Sequence, residues 1–258
     1  MTKKVMESLS KYLEIAQDAV YGASRLLSDI DNGILREAVA DTKKDIKVQA
    51  DRIIELCIID KLKKFSQFSI LAEESGLIDG QISGEKYRWI VDPIDGSVNF
   101  HRGIPICCIS VALWNGLKPL LGVVFDFIHM EMFSGIVGSG MWLNNLPVKV
   151  SSVSKTEQAI LCTGFPVDTD FTIDSIVSFS RKIIGYKKVR LIGSAALSLA
   201  YVASARVDAY AEDNIKIWDI AAGIALVKAA GGVYTLNNTQ KEHSFIIRAA
   251  NTKETLCI

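Results

Sequence analysis

Two carboxylates three residues apart, Asp92 and Asp95, flank Pro93-Ile94 and lead into Gly96-Ser97, directly after the apolar stretch Tyr87 to Val91. Proline fixes the backbone and glycine lets it turn sharply, so the segment can aim both acids at one point while the Ile94 carbonyl stays free as an oxygen donor. Hard divalent cations take such donors. Mg²⁺ binds a few carboxylates together with water and phosphate oxygens, and two ions roughly 3.5–4 Å apart can clamp a phosphoryl group during in-line attack. If Gly96-Ser97-Val98 opens a helix, its free amides would also face phosphate oxygens. The same hexapeptide fits a surface turn, because Asp-Pro and Asp-Gly are common turn dipeptides. Alone it leaves both readings open.

Other acids stand where elements should end or begin. Glu73 and Glu74 close the apolar run Ser69-Ile70-Leu71-Ala72, Asp219 follows Trp218 at the mouth of an apolar helix, and Glu212 lies seven residues before it. Taken singly, they read first as an exposed pair and a helix-capping acid. Helical spacing predicts helices over Val5–Leu27 and Asp51–Phe65, joined by a polar loop over Ser28–Lys44 that holds Asp29, Asp31, Asn32 and Gly33. Strands are expected at Ser69–Ala72, Tyr87–Val91, Ile104–Trp114, Pro119–Phe127 and Glu131–Val137, with a hairpin at Asn115-Gly116. From about Pro147 the pattern alternates: a strand at Ala159–Thr163, a helix at Asp174–Ile184, a strand at Lys188–Leu191, then helices at Ser194–Ala205 and Trp218–Ala230, the last closed by Gly231-Gly232. The expected organisation is an α+β half over 1–146 and an α/β half over 147–258, forming one unit with the site at the seam.

Bulk properties exclude several classes. Lysine plus arginine and aspartate plus glutamate each number 29 in 258 residues, so no long-range field favours nucleic acid or an anionic membrane. A hydrophobic content of 49% with only 5 prolines argues for an ordinary globular core, and each apolar run is broken before membrane-spanning length. Cys57, Cys107, Cys108, Cys162 and Cys257 form no framework or Cys-x-x-Cys pair, and His101, His129 and His243 are isolated, so reduced thiols and no zinc site are expected. The amphipathic start of the chain is not a secretion signal, and a cytoplasmic location is the expectation. Gly135-x-x-Gly138-x-Gly140 reads as a hairpin rather than a nucleotide loop.

Three segments stand in the order and spacing of the inositol monophosphatase superfamily of Mg²⁺-dependent, lithium-sensitive phosphatases. They are Leu71-Ala72-Glu73-Glu74-Ser75-Gly76, Trp89 through Phe100 (WIVDPIDGSVNF) and Trp218-Asp219-Ile220-Ala221-Ala222-Gly223, and the chain resembles this family over nearly its whole length. Asp208 to Glu212 and the stretch Gly138-Ser139-Gly140 to Asn145 fit family positions as well. The resemblance implies an α+β fold with an α/β C-terminal half, layered as the αβαβα sandwich of sugar phosphatases. It also implies a homodimer using two or three Mg²⁺ ions on a small phosphorylated metabolite, either myo-inositol monophosphate or a related polyol or sugar phosphate.

By position, the resemblance implies that Glu73, Asp92 and the Ile94 carbonyl hold one Mg²⁺. Asp92, Asp95 and Asp219 would hold a second, with Glu73 also facing a third. Asp51 and Ser97 would orient the attacking water, so that hydrolysis is direct, and Asp51, Ser97 and Glu73 form the implied catalytic set. For substrate it implies the Gly96 and Ser97 amides, the Gly193-Ser194-Ala195 turn, Glu212 and Asp219; without the resemblance, Gly193-Ser194 reads as well as a plain helix start capped by serine, and the two roles are compatible. Alternatives are 3′(2′),5′-bisphosphate nucleotidase, fructose-1,6-bisphosphatase or histidinol phosphatase activity, or a metal-binding regulatory protein of the same fold. The segment Asp45 to Asp51 keeps Asp51 but lacks the family's threonine, and Lys43 and Lys44 stand closer to Asp45 than the family lysine does. Lithium sensitivity is therefore not implied for this chain.

Overall fold

The computed structural model describes residues 3–29, 36–41, 46–81, 86–165 and 171–256. Asp31, Asn32, Gly33, Lys43, Lys44, Asp45 and Cys257 lie outside them. Helix α1 (Lys3–Asp29) buries Leu9, Leu13, Ala16, Val20, Ala23 and Leu27, the stripe that its spacing predicts. Strand β1 (Ala38–Asp41), within the region read as a loop, pairs antiparallel with β2 (Ile46–Val48), which lies just beyond that region. Strands this short show no alternation from which sequence could find them. Helix α2 (Gln49–Phe65) follows, burying Ile54, Ile58 and Leu62.

Next come β3 (Ser69–Ala72), β4 (Gly76–Ile78), β5 (Tyr87–Asp95), the short α3 (Ser97–Arg102), β6 (Cys108–Asn115), β7 (Lys118–Asp126), β8 (Glu131–Ile136), β9 (Gly140–Leu143) and β10 (Leu146–Val148). Strand β6 begins later than expected. Gly103 ends α3 at φ 71, and the Ile106 amide then donates back to the Ile104 carbonyl, so Ile104 to Cys107 turn before the ladder starts. The second half holds β11 (Ile160–Thr163), α4 (Ile173–Ile183), β12 (Lys188–Arg190), α5 (Ala195–Ala203), β13 (Ala209–Lys216), α6 (Ile217–Ala229), β14 (Val233–Asn238) and β15 (Ser244–Ala250).

Strands β3 to β10 form one sheet in the order β10-β9-β8-β7-β6-β5-β3-β4, and β11 to β15 form another in the order β12-β11-β13-β15-β14. The second sheet is mixed: β12, β11 and β13 run parallel, whereas β15 and β14 add as an antiparallel pair that the alternating pattern did not reveal. Side-chain alternation shows the layering. Trp89, Val91, Ile109 and Val123 of the first sheet pack with α1 and α2, while Ile90, Ala112 and Val124 face α5 and α6. Cys162, Tyr210 and Ile247 of the second sheet meet the same two helices, and Leu161 and Ala209 turn outward to Ile183 at the end of α4. The result is the αβαβα layering. Cys57, Cys107, Cys108 and Cys162 are free thiols. Among the described residues, no helix is long and apolar enough to cross a membrane.

Close approach in the central layer rests on two glycines. A Cβ on Gly223 of α6 would collide with Leu199 of α5, and one on Gly122 of β7 would meet the Ala222 backbone. Trp114 of β6 donates its indole N–H to the Ala221 carbonyl at 3.2 Å across the same seam. Overpacking of this kind typically costs about 1–3 kcal/mol. Gly122→Ala and Gly223→Ala are therefore each expected to lower the unfolding free energy by that order, read as a lower urea midpoint, and an unchanged midpoint would contradict this packing.

Candidate active site

Strands β3 and β5 run parallel as neighbours, with Ala72 opposite Val91, so the acids that follow them leave the sheet along one edge. The Glu73 amide donates to the Val91 carbonyl at 3.2 Å. Outside the carboxyl ends of parallel strands is where α/β proteins commonly place ligands. Strand β5 does not stop at Val91 as its apolar run suggested. It continues through Pro93 to Asp95, and its register against β6 shifts between Asp92 and Asp95. Pro93 has no N–H to give to the ladder, and the irregularity bends the strand there. Asp92 and Asp95 thus belong to a bulged strand end rather than to a turn after it.

Asp92, Asp95 and Asp219 each offer a carboxylate oxygen within 4.8 Å of the others. Asp92 is buried, and its Oδ1 has no hydrogen-bond donor among the described residues. Asp95 is well served. Its Oδ2 accepts from the Ser194 hydroxyl and from the Ala196 amide at 2.8 Å, and its Oδ1 accepts from the Ala195 amide at 3.3 Å. Ser194 is also the N-cap of α5, accepting from the Leu197 amide at 3.3 Å. The Gly193-Ser194-Ala195 turn therefore reaches the site, and two of its donors are spent on Asp95.

Asp51 and Asp219 sit alike, each in the first turn of its helix. Asp51 Oδ2 accepts from the Val48 amide at 2.8 Å and Asp219 Oδ2 from the Lys216 amide at 3.3 Å, half of a capping box in each case. The Ser97 hydroxyl lies 2.9 Å from the Ile94 carbonyl and 3.5 Å from Asp51 Oδ1. It has one proton for two acceptors. Gly96 takes φ 92, and a Cβ there would stand 2.9 Å from the Ile106 carbonyl, so only glycine fits at this turn.

Glu212, on β13, is placed from three sides. The Tyr210 hydroxyl donates to its Oε2 at 2.7 Å, Arg248 donates to its carbonyl at 3.1 Å, and Gly164 leaves it room, since a Cβ there would lie 2.5 Å from Oε2. Sequence reasoning gave no role to Tyr210 or to Asn99. The Asn99 amide donates to the Ile106 and Ile192 carbonyls, both at 2.8 Å, and so ties the segment before Gly193 to the segment before β6. Its burial in a helix of only six residues demands such partners, but neither the burial nor the partners can be read from the sequence.

Burial and mutual repulsion make the cluster reluctant to ionise. Burial, then Glu73, Asp95, Asp219 and Asp51, push the Asp92 carboxyl well above its usual range. Burial and then Glu73 do the same to Asp219. Burial raises Asp95 to about 6 against the opposing pull of its Ser194, Ala196 and Ala195 donors. Glu212 rises to about 7, again chiefly by burial. Buried acids with one orphaned oxygen are a donor set suited to a hard divalent cation, and they fit the metal that such a site implies.

Layering and acid cluster together define an αβαβα fold with a buried, carboxylate-rich site. Residues 8–256 match the model of the inositol monophosphatase family. The chain is 35% identical over 227 residues to an inositol-1-monophosphatase of Synechocystis sp., covering 87% of this chain and 78% of that one. It is 36% identical over 218 residues to the Nus factor SuhB of Pseudomonas aeruginosa, covering 81% and 80%. The solved structure of inositol monophosphatase from Anabaena (Nostoc) sp. PCC 7120 superposes with a TM-score of 0.81 at 34% identity, covering 95% of this chain and 92% of that one. The chain belongs to the inositol monophosphatase family, and is a phosphatase of that family.

The electrostatics have a measurable sign. Because folding raises the Asp95 carboxyl from 3.8 to about 6, the folded chain holds more protons than the unfolded one across that window. The unfolding free energy contributed by this cluster therefore falls as pH rises through it. The melting temperature of cation-free protein should gain from this cluster on going from pH 7 to pH 5, and Asp92→Asn should flatten that dependence. A divalent cation added at pH 7 should raise the melting temperature of the parent more than that of Asp92→Asn. Identical pH profiles for the two proteins would refute the repulsion argument.

Proposed function

We propose that this chain hydrolyses myo-inositol monophosphate, or a related polyol or sugar phosphate, using two or three Mg²⁺ ions held by Glu73, Asp92, the Ile94 carbonyl, Asp95 and Asp219. The observation that carries the reading is the convergence of Asp92, Asp95 and Asp219 around an Asp92 oxygen without a donor, beside Ser97 and Asp51. When bound, Mg²⁺ supplies charge neutralisation at the phosphate and lowers the pKa of water.

The chain's own groups do the rest. Ser97 gives its single proton to Asp51 or to the Ile94 carbonyl, and its lone pairs then face the water and orient it for attack on phosphorus. Asp51 holds that serine. The Gly96 and Ser97 amides receive phosphate oxygens, a task for which the left-handed Gly96 turns the chain. Gly193, Ser194 and Ala195 form the wall beside the substrate ring, and Asp219 borders it. Glu212, poised near neutrality, accepts a hydrogen bond from a substrate hydroxyl when ionised.

The 1–146 and 147–258 halves enter this reading as one unit, because Asp95 on β5 and the α5 start lie on opposite sides of that division and share three hydrogen bonds. A cytoplasmic homodimer is the assembly that family membership supports. A metal-binding regulatory protein is the second reading, motivated by the Nus factor name of the Pseudomonas relative. The repulsion at Asp92 weighs against a scaffold alone, since uncompensated buried charge costs stability and gives a scaffold nothing.

Asp219→Asn is the clean activity test, because the Asp219 carboxylate accepts a 3.3 Å bond from the Lys216 amide of its own helix start, whereas Asp95 also caps α5. Its Mg²⁺-dependent phosphate release should fall more than about a hundredfold, beyond the loss typical of a ligand's supporting partner. An active, folded Asp219→Asn enzyme would overturn the metal assignment. For the substrate wall, Glu212→Gln should impair inositol monophosphate hydrolysis more than p-nitrophenyl phosphate hydrolysis. Equal losses would remove Glu212 from selection. A phosphate-release screen over inositol, sugar, nucleotide and histidinol phosphates separates the proposed substrate from its three alternatives.

A further inference from the structure

Glu55 is a fully buried carboxylate on α2 that the chemistry above does not use. Charged side chains are almost never this buried unless they are paired, so its partners show what it does. Glu55 Oε2 accepts from the Glu74 amide at 2.8 Å, and Oε1 accepts from the Ser75 hydroxyl. Both donors lie in the three-residue turn between β3 and β4, across which Ala72 pairs with Gly76. Gly76 takes φ 66, as hairpins of this length require after the turn. The first residue of that turn is Glu73.

Spacing along α2 makes the arrangement specific. Glu55 follows Asp51 by four residues, which places the two on one helix face. That face sends Asp51 to Ser97 and Glu55 to the Glu73 turn, so one rigid helix touches both groups the proposed chemistry requires. On its other side the turn is tied to β5 by the Glu73 amide, which donates to the Val91 carbonyl at 3.2 Å. Glu55 accepts two hydrogen bonds from this turn, one from a backbone amide and one from a side-chain hydroxyl.

We propose that Glu55 is a positioning residue that holds the β3–β4 turn so that the Glu73 carboxylate faces Asp92 and Asp219 as a cation ligand. This rests on the reading of Glu73 as a Mg²⁺ ligand given above. Glu55 acts through the backbone of the turn and touches neither cation nor substrate. Its effect is therefore on cation affinity, more than on turnover once the cation is saturating.

The test is calorimetric titration of Mg²⁺ into cation-stripped protein. Glu55→Leu keeps similar bulk but leaves both donors unpaired, and should weaken Mg²⁺ binding about tenfold or more, the scale of losing a ligand's supporting partner. Glu55→Gln should restore affinity to within about threefold of the parent, because its amide oxygen can still accept from Glu74 while the Ser75 hydroxyl rotates to accept from its NH₂. Ile58→Val, one turn further along the same buried face, is the control for stability alone and should leave Mg²⁺ affinity unchanged. Ser75→Ala, at an exposed residue, removes one donor without threatening the fold and should weaken binding by about threefold, keeping the test decisive if Glu55→Leu does not fold. Folded Glu55→Leu or Ser75→Ala protein with parental Mg²⁺ affinity would overturn the role of Glu55 alone. A parent that binds no Mg²⁺ would instead overturn the reading of the site on which that role depends.

Discussion

Three carboxylates share one buried pocket of the fold, and everything around them can be understood as a response to their repulsion. Asp95 is relieved by the start of α5, Asp51 and Asp219 by the amides preceding α2 and α6. These three helices bring their amino ends to the same place, where the partial positive charge of a helix terminus favours anions, each by up to about 2 kcal/mol in partly buried settings. The helix starts compensate the acids at the edges of the cluster. They leave Asp92, at its centre, with an oxygen that receives no hydrogen bond from the described residues.

Strand β5 carries that imbalance because it is anchored from both faces. Trp89 and Val91 are buried in one core and Ile90 in the other, so the strand cannot relax toward solvent when its end is loaded with charge. The approach of α5 and α6 from the far side depends on small residues, with Gly223 fitting against Leu199 and Gly122 against Ala222. The same close packing brings the first turn of α6, and hence Asp219, up to β5. Packing energy from the two cores is thus what holds like charges together before any cation arrives.

Apolar runs were legible in the sequence wherever an element is long and packed on a defined face: α1, α2, α5, α6 and the central strands were each found within a few residues. What escaped were elements whose residues carry no periodic signal. The β1–β2 ladder, the β3–β4 turn partner Gly76–Ile78 and the antiparallel β14–β15 pair are short, polar or only half-buried. The acid motifs were legible because their spacing is distinctive, yet the bulge through Pro93 was not, since register depends on the partner strand. Glu55, Asn99 and Tyr210 were illegible for a different reason. Each acts by reaching a backbone or side-chain group that sequence separation hides, as when Glu55 meets Glu74 nineteen residues away.

The two walls of the site differ in how firmly they are set. On the acid wall, Asp95 alone gathers donors from three residues of the α5 start, and Gly96 is fixed by the Ile106 carbonyl beside it. Small changes there disturb several groups together. On the facing wall, Glu212 hangs from one phenol, Tyr210, and from an arginine that also pairs with Asp213, on a strand whose register against β15 is irregular between Glu212 and Ile215. A carboxyl poised near 7 at such a place can present either an acceptor or a donor to a substrate hydroxyl for a small energetic difference. In the proposed reading, phosphate chemistry is therefore tied to the rigid core, while the choice of alcohol depends on Glu212, on the strand that runs directly into the helix start carrying Asp219.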